Sequence, residues 1–160
     1  MKISNNTDFN IIALFIDEFS SKLSEILPDK KIIVISEKSK ECHLYFGNDV
    51  QKQEPIVHNM GYILYNKTVC ESYDFTKEET FALLSHEIGH FVNNKRWGRN
   101  EDQQENEFAA DEFVCQQYND CNLVDGLYKI FLKCELTEEE KQKIRSRIDR
   151  ACRACSRTHW

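Results

Sequence analysis

Two histidines and a glutamate lie within five residues of one another, where residues 86–90 read H-E-I-G-H. On a helix, residues four apart share one face, so His86 and His90 can direct two imidazole nitrogens to one point. Zinc accepts such nitrogens at about 2.0–2.1 Å. Glu87 stands where a carboxylate can take a proton from a water molecule that the metal activates. The pattern therefore predicts two metal ligands and a general base in one helical turn.

A second pair of residues with the same spacing follows, Glu107 and Asp111, in the stretch E-F-A-A-D. A catalytic zinc takes three protein ligands and leaves its fourth position to water. One of these carboxylates can be the third ligand, and the other can accept the free N–H of a ligating histidine. Two small alanines, Ala109 and Ala110, would let this helix approach the first one closely. We therefore expect one Zn²⁺ per chain, held between two adjacent helices.

A helix with H-E-x-x-H followed by a helix with E-x-x-x-D resembles the gluzincin class of zinc metallopeptidases. The resemblance implies that His86, His90 and Glu107 are the zinc ligands. It further implies that Glu87 is the general base and that Asp111 orients a ligand histidine, which we expect to be His86.

The same segment is also similar to the ImmA/IrrE-type metallopeptidases, which carry an H-E-[LI]-G-H helix and then a helix with N-x-F-A-A-E. Here residues 106–111 read N-E-F-A-A-D. Aligned on this second pattern, the acidic ligand falls a few residues earlier, around Gln104 and Glu105. We favour Glu107, because it places the ligand and its partner on one helix face, and Glu105 is the second candidate. The likeness covers about residues 60–120.

Apolar periodicity and capping signals predict the elements that must position these groups. Helices are expected at about 8–27, 76–94, 101–120, 123–132 and from 137 onward, and strands at 31–35, at 42–46 and from 62 onward. Capping boxes, Thr76 with Glu79 and Thr137 with Glu140, open two of the helices.

The predicted fold class is α+β: a small sheet of about three strands packed by helices, with the zinc site on two adjacent helices, a minimal zincin-like fold. One domain is expected over residues 1–160, with its catalytic core at about 60–120 and a C-terminal helical segment at 123–160.

The strand that precedes the motif helix is a candidate for substrate binding. In gluzincins an edge strand at this place pairs with the substrate, and the resemblance implies the same role for residues 62–69 by β-augmentation. The candidate substrate-binding residues are Tyr62, Leu64 and Tyr65. Candidate oxyanion donors are Tyr118, Tyr128, His58 and His43.

Net charge and the distribution of apolar residues indicate which binding partners and which cellular location to expect. The formal net charge is −6, which argues against nucleic acid as a partner. The basic stretch at 141–157 is interpreted as a solvated helix face, or else as a docking surface for an acidic partner. The sequence contains neither a signal-peptide core nor an apolar run of about 20 residues, so we expect a cytoplasmic protein that does not enter a membrane. Nothing in the sequence indicates the oligomeric state.

Seven cysteines are present, an odd number without a secretory signal, and reduced thiols are the expectation. The pair Cys152 and Cys155, together with His159 and Cys134, resembles part of a second metal site. The favoured interpretation is that the pair consists of small apolar residues on a terminal helix.

The function predicted from these residues is that of a zinc-dependent metalloendopeptidase acting on a peptide or protein. The ImmA/IrrE likeness implies an enzyme dedicated to one regulatory protein substrate. Two other interpretations belong to different classes. One is a non-catalytic zinc-binding domain for peptide or protein interaction. The other is a metal-free interaction protein whose acidic helix, residues 101–120, meets a basic partner.

Overall fold

The computed structural model of the chain describes residues 2–23, 32–37, 55–59, 62–92, 103–118 and 121–158. They form two compact units, Met1–Cys70 and Glu71–Trp160. The sequence predicted one domain with a catalytic core at about 60–120, a range that takes residues from both units. Each of the predicted ligands, the base and the orienting aspartate lies in the second unit.

The first unit is built around a four-stranded mixed sheet. Its strands are β1 (Lys2–Asn6), β2 (Ile32–Glu37), β3 (Ile56–Asn59) and β4 (Tyr62–Tyr65), and its first helix is α1 (Asn10–Leu23). The sheet order is β1-β2-β4-β3, with β3 antiparallel to β4 and the other pairs parallel. Isoleucines of the sheet and one face of α1 supply the buried core: Ile12, Phe15, Phe19, Ile33, Ile35 and Ile63.

The α+β class is confirmed, but within the described residues the sheet has four strands where about three were predicted. The strands expected near 31–35 and from 62 correspond to β2 and β4. The short strands β1 and β3 were not predicted, because K-I-S-N-N and I-V-H-N are too short and too polar to stand out as strands. The strand expected at 42–46 lies outside the described residues.

The position of β4 corrects the expectation of an edge strand over residues 62–69. Ile63 of β4 is paired with Ile35 of β2 on one side and with His58 of β3 on the other. The strand ends at Tyr65, because Asn66 accepts a hydrogen bond from the N–H of Val69 at 3.1 Å and starts helix α2 (Lys67–Ser72). With neighbours on both sides, β4 has no free edge for a substrate strand.

The second unit is helical. Its elements are α3 (Lys77–Val92), α4 (Gln103–Tyr118), α5 (Asn122–Lys133) and α6 (Glu138–Thr158). These bounds agree with the predicted helices at 76–94, 101–120, 123–132 and from 137. Helix α3 packs against α4 and α5, and α6 packs against the same two helices. None of the helices in the described ranges combines the length and the apolar composition that crossing a bilayer requires.

Helix α3, which carries the H-E-I-G-H pattern, is a core helix. Every residue from Glu79 to Phe91 is buried. Its apolar side chains Leu84 and Ile88 are fully buried, as the sequence pattern predicted. A helix buried on all sides holds its side chains in fixed rotamers, which is what a metal site requires of its ligands.

Both predicted capping boxes are present. The N–H of Thr76 donates to Glu79 Oε1 at 2.9 Å, and the N–H of Glu79 donates to Thr76 Oγ1 at 3.1 Å. The second box, Thr137 with Glu140, has the same reciprocal pair at 3.3 and 3.1 Å. They fix where α3 and α6 begin.

The first box also binds α5, because Lys129 donates to Glu79 Oε1 at 2.6 Å. Burial of Glu79 opposes its ionisation, but the hydrogen bonds from Lys129 and Thr76 outweigh burial and hold the pKa of the carboxyl below its ordinary value. Glu79 therefore joins the first turn of α3 to α5 as an ionised group.

Replacement of Glu79 by glutamine removes this ion pair with little change of shape. We expect Glu79→Gln to lower the free energy of unfolding by about 1–2 kcal/mol, because the Lys129 ammonium, whose side chain is 28% exposed, loses its charged partner and keeps only neutral acceptors such as the Asp74 carbonyl. Urea denaturation measures the change. The matched control is Glu78→Gln, which changes an exposed neighbour and should alter stability by less than about 0.5 kcal/mol. Equal stability of the two variants would contradict this account of α3.

The pH dependence of the same difference is a second prediction. Because the folded-state pKa of Glu79 is lowered, its contribution is fully present above the unfolded value of about 4.5 and is lost as the pH falls through the folded pKa. The stability difference between wild type and Glu79→Gln should be constant from about pH 8 to 5 and should shrink below about pH 4. A difference that widens on acidification would show that the folded-state pKa is raised instead.

Candidate metal centre

Three side chains of α3 and α4 bring their donor atoms to one place. His86 Nε2 lies 3.1 Å from His90 Nε2 and 2.9 Å from Glu107 Oε2, and His90 Nε2 lies 3.4 Å from Glu107 Oε1. Ligand atoms around a tetrahedral zinc are about 3.3 Å apart when each bond is 2.0–2.1 Å. The two histidine nitrogens and the Glu107 carboxylate, which contacts them through different oxygens, lie close to that spacing. Two imidazoles with one carboxylate are a donor set used by catalytic zinc. The three residues can hold a metal ion.

The other candidate for the third ligand is directed elsewhere. Glu105 is exposed, and its carboxylate lies 4.0 Å from Arg150 Nη1 of α6. Gln104 donates its amide N–H to the backbone carbonyl of Lys143 at 3.2 Å. Of the residues considered from the sequence, Glu107 is the one whose carboxylate meets both histidines.

Asp111 lies where the E-x-x-x-D pattern places it, one turn after Glu107. Its Oδ1 is 2.8 Å from His86 Nδ1, although the ring N–H does not point straight along this contact. A proton kept on Nδ1 by an ionised aspartate leaves Nε2 with its lone pair for a metal. The geometry thus agrees with an orienting role for Asp111 toward His86.

Arg147 of α6 completes the cluster and was missed from the sequence. Its Nε and Nη2 donate to Asp111 Oδ2 and Oδ1, each at 3.0 Å, and its Nη1 lies 3.3 Å from Glu107 Oε2. The side chain is 14% exposed, so at this position the interpretation of residues 141–157 as a solvated helix face is wrong. The signal that could have found it is the predicted pair of acids, because two neighbouring carboxylates at a core-facing site require a cation nearby.

Electrostatics keep the acids of this cluster charged. Burial opposes ionisation of both carboxyls. The positive charges of His86 and Arg147 outweigh burial and hold the pKa of Glu107 and of Asp111 well below the usual range. Both acids are therefore anionic at neutral pH, as a metal ligand and a hydrogen-bond acceptor must be.

The two histidines differ in charge when no metal is bound. Burial works against protonation of His86, but Glu107 and Asp111 outweigh it and raise the pKa of His86 to about 10. Burial is also the largest influence on His90, and with the positive charge of His86 it lowers the pKa of His90. Without a metal, His86 therefore carries one proton more than a neutral ligand at neutral pH, and binding of a metal cation would release that proton.

The predicted general base lies close to this cluster. Glu87 is buried, and one of its carboxylate oxygens lies within 4.8 Å of a ring nitrogen of His90. Tyr128 of α5 is exposed and lines a cavity of about 300 Å³ with Thr76 and Glu79, at the first turn of α3 and about two turns before His86.

The other candidates for contact with substrate have not been tested. His58 lies on β3 of the first unit, His43 lies outside the described residues, and the side chain of Tyr118 is likewise undescribed. Tyr62 of β4 is exposed, whereas Leu64 and Tyr65 are buried. A substrate-binding role for these three residues remains a prediction. The free strand edge on which it was based is absent, because β4 is paired on both sides.

One pair of cysteines is oxidised, although reduced thiols were expected. Cys121, at the start of α5, and Cys155 of α6 form a disulfide with a Cα–Cα separation of 5.7 Å. The expectation of reduced thiols is therefore wrong for Cys121 and Cys155. Because its sulfur is in the disulfide, Cys155 does not form a second metal site with Cys152. Antiparallel packing of α5 and α6 brings the two cysteines together across 34 residues of sequence, which no spacing rule reveals. Disulfides are rare in the cytosol, so this bond does not support the cytoplasmic location predicted from the sequence.

Close packing of α3 on α4 sets the distance between the ligands. A Cβ built on Gly89 would lie 3.1 Å from Ala110 Cα, 3.1 Å from Phe113 Cδ1 and 3.2 Å from the Ala110 carbonyl oxygen. Gly89 and the small residues of α4 thus allow the approach that the sequence predicted. The helix that carries Glu107 and Asp111 rests directly on the turn between His86 and His90.

Insertion of a methyl group at this contact should move α4. We expect Gly89→Ala to lower the free energy of unfolding by about 1–3 kcal/mol, because two of the three nearest atoms are backbone and must shift. The control is Gly126→Ala on α5, whose Cβ would meet only Leu83 at an ordinary 3.5 Å. That variant should gain up to about 1 kcal/mol from helix propensity. Thermal denaturation measures both changes: the melting temperature should fall for Gly89→Ala and rise for Gly126→Ala. A higher melting temperature for Gly89→Ala would contradict the close contact between α3 and α4.

Comparison with known proteins leaves the geometry as the basis for any functional conclusion. Neither protein-family models nor curated proteins nor solved structures gave a match to this chain.

Proposed function

We propose that this protein is a zinc-dependent metalloendopeptidase of the gluzincin type, with a minimal zincin-like site on α3 and α4. The observation that carries the proposal is that His86 Nε2 and His90 Nε2 lie 3.1 Å apart and the Glu107 carboxylate contacts both, through Oε2 at 2.9 Å and Oε1 at 3.4 Å. The buried, ionised Asp111 beside His86 supports it, because ligating histidines commonly have such a partner.

Zinc is the metal that this donor set fits best. Two neutral imidazoles and one carboxylate suit a borderline ion, whereas magnesium and calcium prefer oxygen ligands alone. Three protein donors also leave one position of a tetrahedral ion for water or substrate, which distinguishes catalytic zinc sites from structural ones. The proposal is one Zn²⁺ per chain.

The residues of the chain would divide the work of peptide hydrolysis. A bound zinc would polarise the substrate carbonyl and lower the pKa of a water molecule. Glu87 would take a proton from that water and return it to the leaving amine, acting first as general base and then as general acid. Asp111 would keep the proton of His86 on Nδ1 throughout. Glu107 would lend a negative charge to the site without taking part in proton transfer.

The substrate proposed is a peptide segment of another protein. The likeness of residues 86–90 and 106–111 to ImmA/IrrE-type enzymes favours a protease dedicated to one regulatory protein, acting in the cytoplasm. Such an enzyme would be slow on generic substrates, so a peptide library is a better probe than a single reporter peptide.

Substitution at the base and at a ligand tests the proposal. Zinc per chain is measured by mass spectrometry, and cleavage is measured on a peptide library. Glu87→Gln should retain one zinc and lose hydrolysis by about 10²-fold or more. His86→Ala should lose both zinc and hydrolysis. The control Glu105→Gln changes the other candidate ligand and should keep zinc and hydrolysis.

Each result that would contradict the proposal points to a different error in it. Full cleavage by Glu87→Gln would remove the general base from the mechanism. One zinc per chain without cleavage of any library peptide would favour the non-catalytic zinc-binding interaction domain. A wild type that takes up no zinc would favour the metal-free interaction protein.

A further inference from the structure

Arg147 contacts two of the five residues assigned to the metal centre, although it lies on a different helix from all of them. All three of its guanidinium nitrogens are engaged: Nε and Nη2 by Asp111 and Nη1 by Glu107. Helix α6, from which no residue was predicted to belong to this site, therefore supplies a group to it.

We propose that Arg147 is a positioning residue of the metal centre, so that α6 is needed to complete a site whose ligands all come from α3 and α4. The inference rests on the proposed function, since it assumes that Glu107 is a metal ligand. Arg147 would set the orientation of Glu107 and Asp111 and would not touch metal or substrate.

The geometry of the contact supports positioning over simple charge balance. A planar guanidinium with two parallel bonds to Asp111 fixes the plane of that carboxylate, and the third nitrogen then limits where Glu107 can turn. An ammonium is a point charge on a flexible stem and cannot impose this orientation. The Asp111 Oδ1 that accepts from Arg147 is also the oxygen 2.8 Å from His86 Nδ1, so the arginine acts on the first ligand as well.

Removal of Arg147 should change metal affinity in opposite directions, depending on whether the residue acts by its charge or by positioning the ligands. Arg147 is a cation a few ångströms from the place where a second cation would bind, and its removal would strengthen metal binding by simple Coulomb attraction. Loss of orientation would weaken binding, because partners of this kind are worth about 10–100-fold in metal affinity. The sign of the change therefore distinguishes a positioning residue from a mere counter-ion.

Helix α6 is held in place by contacts that do not involve Arg147. The Cys121–Cys155 bond ties it to α5, and Arg150 Nη2 donates to Glu112 Oε1 at 3.2 Å. Ala151 on the same helix is buried. A substitution at position 147 should thus act on the cluster and leave α6 where it is.

The experiment compares Arg147→Gln, Arg147→Lys and the matched control Arg150→Gln, which loses a more exposed pairing between the same two helices. Affinity for Zn²⁺ is measured by competition with a chromophoric chelator, and Co²⁺ is added to each metal-free protein to record its visible spectrum. We expect about 10–100-fold weaker zinc binding and an altered Co²⁺ spectrum for Arg147→Gln. Arg147→Lys should recover only part of the loss, and Arg150→Gln should match the wild type.

Unfolding by urea separates a local effect from loss of the fold. A purely structural role would lower stability and leave the Co²⁺ spectrum of the folded protein unchanged. Zinc affinity of Arg147→Gln equal to or tighter than that of wild type would overturn the proposal while leaving the proposed function intact. If Arg147→Gln does not fold, full zinc affinity and an unchanged spectrum in Arg147→Lys would overturn it. Absence of metal binding by the wild type would remove the proposed function and this inference together.

Discussion

The placement of two carboxylates, Asp111 buried and Glu107 half-buried, beside two histidines is the constraint on which the second unit depends. Glu107 and Asp111 are one turn apart on α4, and each would be costly to bury as an unpaired charge. Their positive partners come from two other helices, since His86 belongs to α3 and Arg147 to α6. The three helices must therefore meet at one point, and a change in any of them alters the charge balance there.

Close packing, in addition to charge pairing, fixes how the helices meet at that point. Gly89 brings α4 onto the turn of α3 that carries the two histidines, and the Glu79 carboxylate ties the start of the same helix to α5. Every residue of α3 from Glu79 to Phe91 is buried. A site made in this way is assembled by the core of the helical unit, which favours fixed ligand geometry over adaptability.

Much of the site could be predicted from the sequence, because its residues follow helical spacing. The i, i+4 relation of His86 to His90 and of Glu107 to Asp111 depends only on the turn of a helix, and the capping boxes fix where α3 and α6 begin. The two small residues of α4, Ala109 and Ala110, correctly indicated a close approach of α4 to α3.

What the sequence did not predict depends on contacts between distant segments. Arg147 lies 36 residues from Asp111, and nothing in the pattern of the last helix separates it from Arg150, which pairs with more exposed acids. The Cys121–Cys155 bond depends on how α5 and α6 pack. The place of β4 between β2 and β3 follows from strand order, which short strands such as β3 do not reveal.

Zinc-edge X-ray absorption of the wild-type protein, loaded with one equivalent of zinc, tests the central claim most directly. The account predicts nitrogen and oxygen neighbours only, at about 2.0–2.1 Å, with the multiple-scattering signature of two imidazoles. His86→Ala should lose this signal. Sulfur neighbours at about 2.3 Å would place the metal at cysteines instead, and would contradict the assignment of His86, His90 and Glu107 as ligands.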